Sequence, residues 1–355
     1  MRNLRSILLI VLMVVLSGAC QRRPFAENRS KVSLNLSINT HIINHAQVEL
    51  PENMRVDLYD PETAQLIYTD YVGPYGGYIN PAPGVYDMIV YSLGSESTIV
   101  HNEYDYNEIE AYTNEVSAFI KSQLEQFLTK RTKAARERAA KKYAMMMQQK
   151  QQNEGLDADV ETKDPIPYIE EPVVNEPDHI FIGWYHNLDV PVTYEGEGVK
   201  EIFVEVDAHT IVETWEVEVR MVDGAQWISS VVSLMSGQKG SVHMGPNVHS
   251  EKVVSVLFDM ALEDREDGGK CIKGKLNTFG IHPDNVAGAY LDLNVKDTGG
   301  EDHVFHYDVT EQFIDNEDRY ILIEETLKIE EPKVEGGGFQ PIVNPWDEVH
   351  TDIIL

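Results

Sequence analysis

The stretch TWEVEVRMV, residues 214–222, sets the fold class because apolar and polar side chains alternate along it. Successive side chains of a β-strand point to opposite faces, so this alternation predicts a strand with one buried and one solvated face. The predicted buried face consists of Trp215, Val217, Val219 and Met221. Strands of this kind are typical of antiparallel sheets that cover a core with one side.

Further strand patterns follow TWEVEVRMV as far as about residue 330. They are rich in Val, Ile, Leu and aromatic residues, and Gly-containing turns separate them. Short strands at regular spacing with turns between them predict a β-sandwich. We therefore expect a C-terminal β-sandwich at 208–330 and a flexible acidic tail at 331–355. The runs are WISSVVSLMSG, KVVSVLFDMAL, CIKGKLNTFGI, AYLDLNV, HVFHYDV and RYILIEETL.

The first half of the chain carries a second set of strand patterns. Val32 to Ile38 alternates, as does MRVDLYD, and GPYGGYINPAPG forms a turn-rich connection between later strands. The sequence therefore predicts an N-terminal β-sandwich at 31–207. Its candidate strands are 32–38, 54–58, 64–72, 85–93, 179–185 and 201–206.

A long helix interrupts this first set of strands. Residues 107–152 contain neither Pro nor Gly, and apolar residues recur there at a spacing of three and four. The pattern predicts an amphipathic helix about 60–70 Å long if it is continuous. With the acidic, Pro-bearing linker that follows, it forms a predicted insertion at 105–178. The apolar positions are Ile109, Tyr112, Val116, Ile120, Leu124 and Leu128.

Charge along the insertion leaves its role open. Residues 121–150 hold nine Lys or Arg and two Glu, whereas residues 154–178 hold nine acidic residues and one Lys. One interpretation makes Lys130 to Lys150 a docking arm for an acidic partner. The other makes it a solvated helical insertion.

The first twenty residues are typical of an exported lipoprotein. Arg2 and Arg5 precede an apolar run from Ile7 to Leu16, and small residues lead to Cys20. Ten apolar helical residues span about 15 Å, half of a bilayer core, so the run indicates a signal peptide rather than a membrane span. We predict a lipoprotein signal peptide at 1–19, lipidation of Cys20 and a tether at 20–30. The alternative is a plain secretory signal with an incidental cysteine.

Composition restricts the partners. The formal charge of −30 becomes −32 when residues 1–19 are removed, because they contain two Arg and no acidic residue. Such acidity disfavours nucleic acids and anionic lipid headgroups. The chain has two cysteines, so lipidation of Cys20 leaves Cys271 without an intramolecular disulfide partner. We expect Cys271, at the start of a strand, to be a small buried residue.

The sequence lacks the common catalytic and metal-binding patterns. It has no phosphate-binding loop, Gly-x-Ser-x-Gly elbow, His-Glu-x-x-His or Cys-x-x-Cys. His303 and His306 are three apart on a predicted strand, which places them on opposite faces. The acidic group Asp315, Glu317 and Asp318 is a candidate calcium site or a solvated loop. We therefore predict no enzyme activity, cofactor, metal or small-molecule substrate.

The four tryptophans are candidates for sugar stacking or for the core. Trp215 and Trp227 lie inside strand patterns, which favours the core, and Trp184 lies in HIFIGWY. Trp346 lies in the tail motif NPWDEV and is the one we expect to be exposed.

Several stretches together carry a family resemblance. They are the lipobox ending at Cys20, NMRVDLYD (53–60), PGVYDMIVYSLGSESTIV (83–100), WISSVVSLMSGQKGSV (227–242), GKLNTFGI (274–281) and HVFHYDVTEQF (303–313). They resemble the fimbrillin-type lipoproteins of Bacteroidetes, especially the two-domain anchor and assembly proteins of type V pili. The resemblance implies two tandem transthyretin-like Greek-key β-sandwiches, an outer-membrane lipid anchor and no catalytic residues.

Two hypotheses for function follow. The first is a lipid-anchored structural protein of the cell envelope that anchors or assembles a fimbria, with pilin-like subunits as partners joined by strand addition. The alternative is an adhesin-like lipoprotein that binds a glycan or protein, facing either the surface or the periplasm. The basic segment QRRPFAEN after Cys20 leaves the face of the outer membrane open, since surface-exported members often carry acids there.

Overall fold

A computed structural model describes residues 35–43, 48–95, 97–154, 171–192, 201–282, 288–314 and 316–332. The predicted signal peptide, Cys20, the whole tether and most of the acidic tail lie outside these residues. The described part is mainly β. Its helices include none that is both long enough and apolar enough to span a membrane.

The chain divides into two compact units. The first contains residues up to Ile42, then Pro51–Tyr91 and Gly183–Ala208. Its strands form a seven-stranded sheet in the order β3-β2-β5-β9-β10-β1-β4. The strands are β1 (Asn35–Ile43), β2 (Met54–Tyr59), β3 (Leu66–Val72), β4 (Gly76–Ile79) and β5 (Gly84–Ser92), with β9 (Phe181–Val190) and β10 (Glu201–Thr210), which continue into the second unit.

A tight turn joins β3 and β4, the first and last strands in the sheet order. β3 and β4 are consecutive along the chain, and Gly73 pairs with Gly76 between them. Gly76 has φ +107°, and a Cβ there would lie 1.8 Å from the carbonyl oxygen of Ile38 on β1. A residue without a side chain is therefore required where β4 joins β1.

A buried carboxylate lies in the first unit among apolar side chains. Asp57 on β2 accepts hydrogen bonds from Arg55 Nε at 2.9 Å, Thr69 Oγ1 at 2.6 Å and Tyr91 Oη at 3.0 Å. Burial raises the pKa of the Asp57 carboxyl, and these donors oppose the rise. The network is satisfied, as a buried charge requires.

The second unit contains Ile43–Leu50, Ser92–Ile182 and the chain from His209 onward. Its larger sheets are a five-stranded one, β20-β19-β13-β16-β8, and a four-stranded one, β17-β18-β11-β21. Their strands are β8 (Val173–Asn175), β11 (Glu213–Val219), β13 (Ile228–Lys239), β16 (Val253–Phe258), β17 (Met260–Asp264), β18 (Lys270–Thr278), β19 (Tyr290–Asp297), β20 (Asp302–Asp308) and β21 (Tyr320–Ile323).

Two smaller sheets complete the described part of this unit. One has the order β15-β14-β7-β6, and the other pairs β12 with β22. Their strands are β6 (Thr98–His101), β7 (Glu110–Thr113), β12 (Val222–Asp223), β14 (Ser241–His243), β15 (Val248–His249) and β22 (Leu327–Lys328).

The core of the second unit is filled from the two larger sheets. Trp215 and Val217 of TWEVEVRMV lie in it, and Trp215 packs on Phe313 with ring centroids 4.5 Å apart. The predicted strand is confirmed from Glu213 to Val219 with Trp215 in the core, whereas Met221 lies beyond β11 and is 40% exposed. β13 is a long central strand that pairs antiparallel with both β16 and β19.

The helical insertion differs from its prediction at its start. Ile109 directly precedes strand β7, and Tyr112 lies in it. β7 pairs with β14 and β6, so neither residue is on a helix. The helices begin later, at α1 (Ala118–Gln123) and α2 (Glu125–Glu154). The three-and-four spacing predicted a helix here, but pairing with β14, far along the chain, makes residues 110–113 a strand.

The position of the insertion also differs from the predicted domain bounds. We placed 105–178 within an N-terminal sandwich at 31–207, but Ser92–Ile182 clusters with the second unit. The reason is packing: strands β6, β7 and β8 pair within the second unit, and α2 contacts its five-stranded sheet.

Candidate functional site

One face of the helical segment packs on the five-stranded sheet. Phe127, 1% exposed, forms a buried cluster with Val116, Val173 and Leu234. Phe119 of the neighbouring helix α1, in contrast, is 72% exposed. The helix is therefore docked along its first half, and the interpretation as a wholly solvated insertion is wrong for this part.

A buried arginine joins the helix to the sheet. Arg131 lies one turn beyond Phe127, and its Nε donates to Asp292 Oδ2 of β19 at 2.9 Å. Its Nη2 lies 3.4 Å from Glu171 Oε2 and also donates to Ser255 Oγ of β16. The three partners come from segments up to 161 residues away in sequence. We call Arg131, Glu171, Ser255 and Asp292 the Arg131 cluster.

Glu171 ties the cluster to the strand that follows the linker. Its Oε2 accepts from Ser255 Oγ at 2.6 Å and from the backbone N–H of Gly237 at 3.2 Å. Burial raises the pKa of the Glu171 carboxyl, while the hydroxyl of Ser255 and the charge of Arg131 act in the opposite direction. Loss of the arginine would leave this acid buried without its countercharge.

Asp292 has further partners on its second oxygen. His306 Nδ1 lies 2.6 Å from Asp292 Oδ1, and Arg138 Nη2 lies 3.8 Å from the same oxygen. The Arg138 guanidinium also stacks over the Tyr290 ring, 3.9 Å from the centroid. Burial and a hydrogen bond to Asp308 raise the pKa of Tyr290 to about 12. Arg131 and Arg138 thus both attach the helix to Asp292, one turn and three turns beyond Phe127.

The Arg131 cluster is a structural site rather than a catalytic one. Both of its carboxylates lie beside the Arg131 guanidinium, and the group joins α2 to strands β16 and β19. The sequence pattern did not single out Arg131, because it is one of nine cations in 121–150. The available signal was the position of Arg131, seven residues after Leu124 and three after Leu128, which both lie on the apolar stripe.

The sheet edges of the second unit are protected to different degrees. β8 is covered by the preceding chain, since Val116 N donates to Val173 O and Asn175 N to Asn114 O, both at 3.0 Å. At β21, the Gln312 amide pairs with both backbone groups of Leu322, at 2.8 and 3.0 Å. Side chains that bond the backbone in this way block further strand pairing.

β20 is the longest edge strand of the second unit. It pairs with β19 from Asp302 to Asp308, and Lys130 Nζ caps the carbonyl of Asp302 at 3.2 Å. Its sequence, DHVFHYD, has charged acids at its two ends and neither Pro nor Lys between them. Within the described residues, β20 is therefore a long edge strand whose backbone is capped by a side chain at Asp302.

The candidate site residues from the sequence lie in different places, and some lie outside the described residues. Cys20 and Trp346 lie outside the described residues, as does Asp315. His303 and His306 contact different carboxylates, those of Asp297 and Asp292. Trp227 packs partly buried against the main core of the second unit.

Cys271 is a buried residue of β18, as predicted. It is 1% exposed, and burial raises the pKa of its thiol. A thiol with a raised pKa is a poor nucleophile at neutral pH.

A family model covers most of the chain. The model, described as a domain of unknown function (DUF5119), matches residues 19–259. The chain belongs to the DUF5119 family. The matched region begins one residue before Cys20 and includes the whole helical segment. It ends after β16.

A relative carries a functional name. The chain is 30% identical over 115 residues to a protein of Bacteroides ovatus named as a fimbrium anchoring subunit, Fim4B. The match covers 32% of this chain and 33% of that protein. The resemblance to fimbrial proteins of Bacteroidetes is thereby confirmed for a third of the relative's length.

One solved structure shares the fold of this chain. An adhesin from Bacteroides ovatus matches 85% of this chain and 94% of its own, with a TM-score of 0.52 and 16% identity. The fimbrial anchor protein Mfa2 from Porphyromonas gingivalis matches 79% of this chain and 83% of its own, with a TM-score of 0.42 and 10% identity. The first match supports the same mainly β fold across most of the chain.

Proposed function

We propose that this protein anchors or helps to assemble a fimbria at the cell envelope and has no enzyme activity. The observation that carries the proposal is the similarity to the fimbrium anchoring subunit, in a chain built from two β-rich units. Pilin-like subunits are the partners. The two units belong to the transthyretin-like Greek-key type in this proposal.

The anchor is lipid on Cys20, the first residue after the signal peptide. Its support is the lipobox-like sequence before Cys20. A single acyl chain binds membranes weakly, so stable anchoring needs more than one chain. The protein is then an outer-membrane lipoprotein.

Lipidation is tested by Cys20→Ser with a palmitate analogue as the label. We expect labelling and membrane retention to be lost in the variant, with Cys271→Ser as the matched control that keeps both. Equal labelling of the wild-type protein and Cys20→Ser contradicts the anchor.

Strand addition at β20 is the proposed contact with a subunit. An extended segment pairs its backbone with the outer edge of β20, which is longer than β8 and β21. Hydrogen exchange measures this directly. Amides of 302–308 become protected when a purified fimbrial subunit is added, whereas amides of 260–264 on the edge strand β17 do not change. Protection at β17 and none at β20 would remove β20 from the proposal.

The whole function is tested by purification of the protein from membranes in mild detergent. Recovery of a fimbrial subunit with the wild-type chain supports the proposal. Recovery of none, with fimbriae still attached in a strain that lacks the protein, contradicts it.

A second candidate is an adhesin that binds a glycan. Its support is a group of exposed aromatic rings at the β3–β4 turn, namely Tyr71, Tyr75 and Tyr78, which are 52%, 74% and 64% exposed. Exposed aromatic faces are suited to stacking on ligands. Saturable binding in a glycan array that disappears in Tyr75→Ala favours this function, and unchanged binding in that variant opposes it.

A further inference from the structure

The turn between β19 and β20 brings three metal-binding side chains together. Asp297 ends β19, Glu301 lies in the turn and His303 is the second residue of β20. One ligand atom from each side chain lies within 4.8 Å of the other two. Val295 pairs with His303, and Asp297, two residues after Val295, lies on the same face of the sheet. The Asp297 N–H donates to the Glu301 carbonyl, which brings Glu301 beside Asp297.

The turn holds Asp297 in a fixed position. Its Oδ1 accepts from the backbone N–H groups of Gly299 and Glu301, at 2.8 and 2.9 Å. Its Oδ2 lies 2.9 Å from His303 Nε2. The donors and the neighbouring imidazole lower the pKa of the Asp297 carboxyl against the effect of burial, which favours the ionised form that binds cations.

The three side chains differ in exposure in a way that suits an open coordination site. Asp297 is buried, His303 is half-buried and Glu301 is exposed. The buried residue sets the position, and the exposed one adjusts to the ion. Solvent reaches the group on the side of Glu301.

We propose that Asp297, Glu301 and His303 bind a zinc ion. One imidazole nitrogen and two carboxylate oxygens form a donor set that Zn²⁺ accepts, with water as the fourth ligand. Ligand atoms in a tetrahedral zinc site lie about 3.3 Å apart at bond lengths near 2.0 Å. The Asp297–His303 pair therefore needs to open by a few tenths of an ångström, and Glu301 closes onto the ion.

The chain supplies a comparison for this group. His186 Nδ1 lies 3.3 Å from Asp87 Oδ1, which is also a His–Asp pair, but the three-residue cluster is absent there among the described residues. A histidine paired with one carboxylate is expected to bind zinc weakly. The third ligand, Glu301, distinguishes the β19–β20 turn.

Zinc titration of the full-length chain, purified in detergent and dialysed against a chelator, tests the site. We expect one Zn²⁺ per chain by calorimetry and a rise in the melting temperature with added zinc. Glu301→Gln and His303→Gln weaken binding at least 10-fold. His186→Gln leaves it unchanged.

Several outcomes would overturn the proposal. Zinc binding absent from the wild-type chain is one, and binding weakened equally by His186→Gln and His303→Gln is another. Glu301 is exposed, so Glu301→Gln keeps the fold, and unchanged zinc affinity in that variant also overturns the site.

Discussion

The Arg131 guanidinium lies 2.9 Å from the Asp292 carboxylate, and this pair joins helix α2 to the buried strand β19. Arg131 and Asp292 are 3% and 0% exposed. A buried ion pair contributes less to stability than its geometry suggests, but removal of one partner leaves the other charge unpaired. The pair therefore fixes where the helix docks.

Arg131→Ala is expected to lower the free energy of unfolding of the second unit by about 3–5 kcal/mol, because Glu171 then remains buried without its cation and Asp292 keeps only Arg138, at 3.8 Å, and His306. Urea unfolding followed by circular dichroism measures the change. Lys141→Ala is the control, since Lys141 is exposed on the same helix, and it should change stability by less than about 0.5 kcal/mol. Equal stability of the two variants would contradict the role of Arg131.

Phe127→Ala is expected to cost about 3–5 kcal/mol, because it empties the buried cluster under α2. Phe119→Ala is a matched control from the neighbouring helix, where the ring is 72% exposed. Its cost should stay below about 0.5 kcal/mol. A similar loss in both variants would show that the helices are not docked through Phe127.

Gly76→Ala is expected to destabilise the first unit by about 2 kcal/mol more than Gly268→Ala. Both glycines have a positive φ, but a Cβ at 76 meets the Ile38 carbonyl at 1.8 Å, whereas one at 268 meets nothing within 4 Å. Thermal unfolding of the two variants separates steric overlap from conformational strain. Equal melting temperatures would mean that β4 shifts without cost.

Glu176 makes stability depend on pH. Burial, together with the nearby acids Asp259 and Asp178, raises its pKa to about 7 against a bond from the Asn277 N–H. The folded state holds a proton that the unfolded state releases above its own pKa of about 4.5. The stabilisation by this proton is full below pH 4.5 and is lost as the pH rises to about 7.

Glu176→Gln should remove this dependence, because an amide keeps the oxygen that accepts from Asn277 and carries no charge. Relative to the wild-type chain, we expect the variant to gain about 1–3 kcal/mol at pH 8 and little at pH 4.5. Urea titrations at both pH values give the difference. A gain that is the same at both would exclude the titration of Glu176 as its source.

Local patterns were sufficient to predict strands in which apolar and polar residues alternate. The alternation in TWEVEVRMV predicted β11 and the core position of Trp215, and MRVDLYD predicted β2. The period of two is a local property of the strand, and burial of one face selects it. The burial of Cys271 followed from the same reasoning.

Partners far along the chain decided what local patterns did not. Residues 110–113 have a spacing compatible with a helix, yet β14, more than a hundred residues later, makes them a strand. Arg131 is one of nine cations in sequence, and only the fold places Asp292, Glu171 and Ser255 around it.

The sequence by itself determined the mainly β class and most of the extent of the helical segment, and it is the basis for the proposed lipid attachment at Cys20. The tertiary structure decided which unit takes the helix, which edges are blocked and which side chains meet at the β19–β20 turn. Periodicity and short motifs depend on neighbours within about ten residues. Charge pairing, edge protection and ligand clusters depend on strand order, which brings together residues that no local pattern connects.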